Sequence, residues 1–238
     1  MSGTMEDSPG ASAPVLSAAL LARVHELNLD YVELLISEHA SPGCAAQLQH
    51  LPPRLLPTLA SLCASSRRAL AATPFTLYSL GFEDDGFWRS ACATQAQPVG
   101  QRYSSDGGAS LQRPFCELAL LHAWHVAVCS PLAARMVYAM PEATAHRLAA
   151  TPLWQIRRIA NDHPELLAPR WPTNQAFWPD LTYFAATGDA QRLRTAQLLG
   201  HQLIAAELEY AAAQGCDGKR AHLPLWRSPR LRVRRLRG

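Results

Sequence analysis

The sequence predicts an all-α protein of two similar helical lobes, residues 15–92 and 115–214. A linker at 93–114 joins them, a leader at 1–14 precedes them, and a basic arm at 215–238 follows. Three observations carry this reading. Ala, Leu and Arg abound while Val and Ile are scarce, so helix formers outnumber β-branched strand formers. Apolar residues recur at three- and four-residue intervals over long stretches, the period of a helix with one buried face. Finally, Ser130-Pro131, Met140-Pro141 and Thr151-Pro152 divide Phe115–Pro169 into four short runs. Proline at a first helical position loses no hydrogen bond, and Ser or Thr before it can accept from the exposed amides.

Taken in order, residues 1–13 are rich in Ser, Gly, Ala and Pro and read as a disordered leader. From Val15 to His39, Leu16, Leu20, Val24, Leu27, Tyr31, Leu34 and Leu35 form one stripe of a long helix that Ser41-Pro42-Gly43 stops. A second helical run begins at Pro52-Pro53, carries Leu55, Leu56, Leu59, Leu62 and Cys63, and closes near Arg67-Arg68, whose charges suit a helix C-terminus. Thr73–Phe82 alternates apolar and polar residues and reads as extended, although it cannot make a sheet alone. Glu83-Asp84-Asp85-Gly86 reads as a solvated turn before an aromatic plug, Phe87-Trp88. Residues 93–114 lack periodicity and include Gly107-Gly108, which marks the linker. After the four proline-bounded runs, Phe177-Trp178-Pro179 reads as an aromatic corner. A last helix is expected from Asp189 as N-cap to Gln214, burying Leu193, Ala196, Leu199, Leu203, Ala206 and Tyr210, with Gly215 as its stop.

Composition narrows the functional classes. With 48% hydrophobic and 17% charged residues in 238, the chain is not disordered throughout and can bury a sizeable core. No run of eighteen apolar residues offers a membrane span, and the acidic N-terminus is not followed by a signal-type apolar segment. The six cysteines form no CxxC pair, which suits free thiols in a reducing cytoplasm. There is no GxSxG, no Gly-rich phosphate loop and no HExxH, so neither a catalytic nor a cofactor motif is present.

Shifting the chain on itself by 97 positions sets Leu51–Phe75 against Leu148–Pro172. Leu51, Leu56, Leu59, Leu62 and Leu70 then fall on Leu148, Leu153, Ile156, Ile159 and Leu167, the pattern of an internal duplication, which any two amphipathic helices can also mimic. Leu148-Ala-Ala-Thr-Pro-Leu-Trp-Gln-Ile-Arg-Arg-Ile-Ala160, with Ala134–Thr144 before it, resembles the second half of the bacterial flagellar transcriptional activator subunit FlhD. Leu27-Asn-Leu-Asp-Tyr-Val-Glu-Leu-Leu35 is similar to the opening helix of the same family. The resemblance implies a helical, cytoplasmic regulator that forms dimers and activates promoters with a protein partner, FlhC. Here it would be a fused, two-copy version, an intramolecular pseudo-dimer.

Three constellations are candidate sites. The terminal arm carries Arg227, Arg230, Arg232, Arg234, Arg235 and Arg237 interleaved with Leu225, Trp226, Leu231, Val233 and Leu236. Residues 215–238 hold eight basic residues against one acid, +7, which leaves −4 for the rest of a chain whose net charge is +3. Guanidinium forks suit phosphates, so the arm is a nucleic-acid contact, a docking segment for an acidic protein surface, or a solubilising tail. On the run resembling the regulator, Gln155, Arg157 and Arg158 are expected to face a partner or phosphate, or simply solvent, while Leu153, Ile156 and Ile159 face the core. His122, His125 and Cys129 share a helix face that could ligate a metal with His146 or His163, although core packing is the plainer account. The sequence thus reads as a non-enzymatic regulator acting through a protein partner and DNA. The alternatives are a helical adaptor or chaperone-like module without nucleic acid, and an enzyme subunit with a His/Cys site.

Overall fold

The computed structural model describes residues 15–40, 51–52, 54–93 and 111–217, with side chains to residue 213. These residues form ten α-helices and one two-stranded sheet, so the chain is all-α. None of the helices is long and apolar enough to cross a membrane.

The opening stripe becomes α1 (Ala18–Ala40), which buries Val24, Leu27, Tyr31, Val32, Leu34 and Leu35. The second run is two helices rather than one, α2 (Leu55–Ser61) and α3 (Ala64–Ala71), because Leu62 and Cys63 are extended. That bend lets both short helices lie on α1.

The next segment, Thr73–Phe82, is the centre of the molecule. Its alternation suggests one wet face, yet Phe75, Leu77, Tyr78, Leu80 and Phe82 are all at most 1% exposed. A buried segment with only two residues in a strand must find partners for its backbone polar groups. Asn28, fully buried on α1, supplies two of them, at Phe75 and Leu77. Its Nδ2 donates to Phe75 O and Thr73 Oγ1 (both 2.8 Å) and to Ala71 O (3.2 Å), while its Oδ1 accepts from Leu77 N (2.8 Å). Tyr78 and Ser79 form β1 (Tyr78–Ser79), antiparallel to β2 (Ala168–Pro169). The Tyr78 ring meets Tyr31 and Phe115 at centroid separations of 5.2 and 5.3 Å.

The acidic turn proves to be a helix start. Asp84 Oδ1 accepts from Phe87 N (2.9 Å) at the head of α4 (Asp85–Ala93), and the buried Trp88 indole donates to Gly81 O (2.8 Å). Residues 112–129 follow as α5 (Gln112–Cys129), so the last part of the expected linker is already helical. Then come α6 (Pro131–Tyr138), α7 (Glu142–Ala150) and α8 (Leu153–Asp162). Only Pro131 occupies a first helical position, with Ser130 Oγ accepting from Ala133 N at 3.1 Å. Pro141 and Pro152 stand one residue earlier, as extended N-cap residues. Thr151 does not cap either, since its hydroxyl donates back to Arg147 O (2.8 Å).

After a 3₁₀ turn (Pro164–Leu166) and β2, the expected aromatic corner is instead the first turn of α9 (Phe177–Thr187), which Gly188 ends at φ 71°. Proline early in a helix is compatible with it because the first amides have no intrahelical acceptor. The last helix, α10 (Ala190–Asp217), is capped by Asp189, whose Oδ1 accepts from Arg192 N (3.0 Å), and runs on through Gly215. Its buried face is Leu193, Ala196, Gly200 and Ile204, rotated from the expected one, so Leu199 and Ala206 are exposed.

Buried residues of α1–α4 and of α5–α10 belong to one continuous hydrophobic cluster. Helix α3 lies on α9 and α4 on α7. The 97-residue shift carries α3 onto the 3₁₀ turn and β2 rather than onto a helix, and the internal duplication is not confirmed. The expected leader, the middle of the linker and the arm from residue 218 lie outside the described residues.

Candidate functional site

Where β2 meets the extended segment, Arg170 is 3% exposed. Its backbone N–H donates to Leu77 O (3.0 Å), and its carbonyl accepts from the Trp178 indole (2.6 Å), which fixes the main chain on both sides. The guanidinium reaches across the core. Nη2 donates to Tyr138 O (2.8 Å) and Thr76 Oγ1 (3.1 Å), and Nε donates to Tyr78 O (3.4 Å). Nη1 makes no hydrogen bond; Glu207 Oε2, from α10, lies 3.6 Å away. Glu207 is positioned by the Trp171 indole, which donates to its Oε1 at 2.6 Å.

These groups line a cleft of about 790 Å³ whose walls also include Ser79, Gly81, Glu83, Asp84, Phe87, Tyr138, Ala139, His163 and Glu165. Burial pulls the Arg170 guanidinium below its ordinary value, and Glu207 and Glu83 act against that. The group nevertheless stays charged, because an arginine starts so high. Glu207 is raised, chiefly by desolvation, with Glu83 adding to the effect and Arg170 opposing it. The backbone around the cleft is unusual. Ala139 (φ 53°) and Trp171 (φ 49°) are the non-glycine residues with positive φ among those described, and both line it, as does Gly81 (φ 66°). Left-handed backbone at a residue with a Cβ costs on the order of 1 kcal/mol and concentrates at functional sites.

The histidines and cysteines that share a face of α5 do not assemble a metal centre. His122 Nδ1 lies 2.5 Å from the Tyr138 hydroxyl, whereas His125 turns to Cys129 Sγ, 3.7 Å away. His146 sits near Glu142 on α7, and His163 pairs with Glu165. Among the described residues no group of three His, Cys, Asp or Glu side chains could hold a metal ion.

His122 nonetheless has a measurable consequence. Burial first, then the positive charges of His125 and Arg23, push its imidazole down to about 4 from 6.5. A depressed pKa favours the neutral ring in the fold. Its contribution is therefore present above pH 6.5 and lost as pH falls from 6.5 towards 4. For this partly exposed ring the loss is on the order of 2 kcal/mol after allowing for solvent screening. Urea unfolding at pH 7 and pH 4.5 checks it: His122→Gln should narrow the stability gap between the two pH values by about that amount, and an unchanged gap would refute the assignment.

Of the sequence-predicted contacts on α8, Arg157 Nε donates to Glu117 Oε1 (2.7 Å) and Arg158 Nε lies 3.4 Å from Asp162 Oδ2. Two neighbours are reversed from expectation. Gln155 is buried and donates to Ala91 O (2.6 Å), while Leu153 is about half exposed. Arg227, Arg230, Arg232, Arg234, Arg235 and Arg237 lie outside the described residues. On α5, Leu118 and Val128 are about half exposed, with His125 exposed between them, forming an outer row that is largely apolar. Sequence reasoning passed over Arg170 and Glu207. The one signal in the sequence is the Pro-Arg-Trp-Pro run at 169–172, which sets an arginine beside an aromatic ring between two prolines.

No protein-family model matches the chain, and no curated protein or solved structure is detectably similar to it.

Proposed function

We propose that this is a non-enzymatic regulatory protein that contacts DNA through its terminal arginine arm and a protein partner through its helical body. The observation that carries the reading is the separation of charge along the chain, +7 in residues 215–238 against −4 before them. Most of the described arginines of the body are matched by a carboxylate, as in Arg67–Glu33, Arg147–Asp85, Arg157–Glu117 and Arg158–Asp162. An arm with eight basic residues and one acid has no such match within its own sequence. Phosphate contacts of this kind position a protein on a duplex and make affinity steeply salt-dependent. The likeness of Leu148–Ala160 and Leu27–Leu35 to the flagellar activator subunit FlhD favours the same class.

Fluorescence anisotropy of a labelled duplex with the full chain tests it. If the six arginines each neutralise a phosphate, log K falls against log salt with a slope of about −5. Changing Arg230, Arg232, Arg234 and Arg235 together to Gln should make that slope shallower by about 3 to 4. A flat salt response, or one the four changes leave untouched, would remove DNA from the reading. For the protein contact, Leu118→Glu with Val128→Glu on the outer row of α5 should abolish the partner's co-purification without altering the DNA slope. Undiminished co-purification would exclude that face.

A further inference from the structure

We propose that His125 and Cys129 on α5 are half of a zinc site that a second copy of the chain completes, two imidazoles and two thiolates closing around one ion on a twofold axis. The inference deepens the protein-contact half of the reading above, since it names the partner on the outer row of α5 as another copy. It does not rest on the arginine arm.

The first observation is geometric. Residues four apart on a helix project side by side. His125 Nε2 stands 3.7 Å from Cys129 Sγ, with Nδ1 at 4.0 Å. Two ligands at ordinary zinc–sulfur and zinc–nitrogen lengths, about 2.3 and 2.05 Å, lie about 3.5 Å apart across a tetrahedral angle. The pair therefore already holds the spacing that zinc demands. Both side chains are exposed, so an ion can reach them. His122, one turn earlier, is turned to the Tyr138 hydroxyl instead, at 2.5 Å.

The second is that the site is incomplete. Structural zinc takes four such donors, yet among the described residues no group of three His, Cys, Asp or Glu side chains could hold an ion. One chain thus offers two ligands, and a twofold axis beside α5 supplies the same two again. Each thiol gives its proton to solvent as it binds. Two thiolates then cancel the charge of the ion, and the closed site is neutral.

The third is the surface around the pair. Leu118 lies two turns before His125, Val128 lies beside Cys129, and Leu132 lies in the first turn of α6; all three are about half exposed. No Asp, Glu, Lys or Arg occurs from Leu118 to Ala134, so this surface meets a copy of itself without like-charge repulsion. Three half-exposed aliphatic side chains fall far short of the roughly 1,200 Å² that a stable interface buries. Apolar contact alone does not hold the two copies together; the metal does.

Sedimentation of the untagged full-length protein, kept reduced with a phosphine, tests the assignment. The chain should be monomeric in EDTA and should double its mass on addition of zinc chloride, with one ion bound per two chains. Cobalt(II) should develop the visible bands of tetrahedral coordination together with a thiolate charge-transfer band in the near ultraviolet. His125→Ala and Cys129→Ser should each abolish the dimer, and Cys129→Ser should also remove the charge-transfer band. Because both positions are exposed, neither change should move the unfolding midpoint in EDTA. Cys63→Ser, at another exposed thiol, should leave pairing intact. A dimer that persists in EDTA would overturn the proposal, as would one zinc bound per monomer or pairing that survives both variants. The broader reading fails separately: a different protein held through Leu118 and Val128 while the chain stays monomeric in zinc would keep that face and overturn only the second copy.

Discussion

Asn28→Ala is expected to lower the stability of the fold by about 3 kcal/mol, read as a drop in the urea midpoint with unchanged slope. The side chain is small, so lost packing is a minor part of the effect. What the change strands is the Leu77 N–H, whose acceptor is Asn28 Oδ1 at 2.8 Å, whereas the Ala71 carbonyl that Nδ2 reaches at 3.2 Å keeps the Thr73 N–H at 2.8 Å. Phe75 O would keep the Thr73 hydroxyl, which donates to it at 2.7 Å, so the penalty falls mainly on Leu77. Asn28→Asp provides the sharper comparison. It preserves shape and the acceptor facing Leu77, yet replaces the donor by an oxygen aimed at three other oxygens. The aspartate should therefore cost at least as much as alanine, whereas wild-type stability in Asn28→Asp would show that the donor side of the amide does not matter.

Gly200→Ala is expected to destabilise by about 2 kcal/mol, although alanine is the better helix former by about 1 kcal/mol. An added Cβ would lie 2.7 and 2.9 Å from Phe75 Cε1 and Cε2, and closer still to Cζ. The ring has nowhere to go. It is fully buried, with Trp171, Phe177 and His201 at centroid separations of 5.7, 6.3 and 5.3 Å. Helix α10 thus depends on a glycine to come close enough to bury the centre of the extended segment. Phe75→Leu alone should also destabilise, but the two changes together should cost less than their sum, because the smaller side chain admits the methyl group. Additive losses in that thermal or urea cycle would dissociate the glycine from the ring.

Much of the helix content could be read directly. The stripe of α1, the Ser130 cap of α6 and the Asp189 cap of α10 are local patterns, and each forms where the pattern lies. The misreadings share a cause. Leu199 and Ala206 fit the helical period as well as Gly200 and Ile204 do, and only the position of Phe75 decides which face turns inward. Gln155 and Leu153 exchanged their expected surroundings because Ala91, on another helix, offers Gln155 an acceptor. Helix α9 was missed because Trp178 and Pro179 read as a corner until the Trp178 indole is seen bonded to Arg170 O. The cleft was invisible for the same reason, since its members come from β1, α6, the 3₁₀ turn, β2 and α10.

The amino-acid order by itself determined that this chain is helical, where most helices begin, and that its positive charge gathers at one end. Those properties depend on neighbours within a turn or two, or on composition alone. Tertiary structure decided that Thr73–Phe82 is buried around a two-residue strand and that Arg170 lies at the wall of a cleft. These outcomes rest on polar pairings 49 residues apart, between Asn28 and Leu77, and 94 apart, between Arg170 and Thr76. No local period encodes such pairings; they arise because a buried backbone must find its hydrogen bonds wherever the folded chain brings a partner.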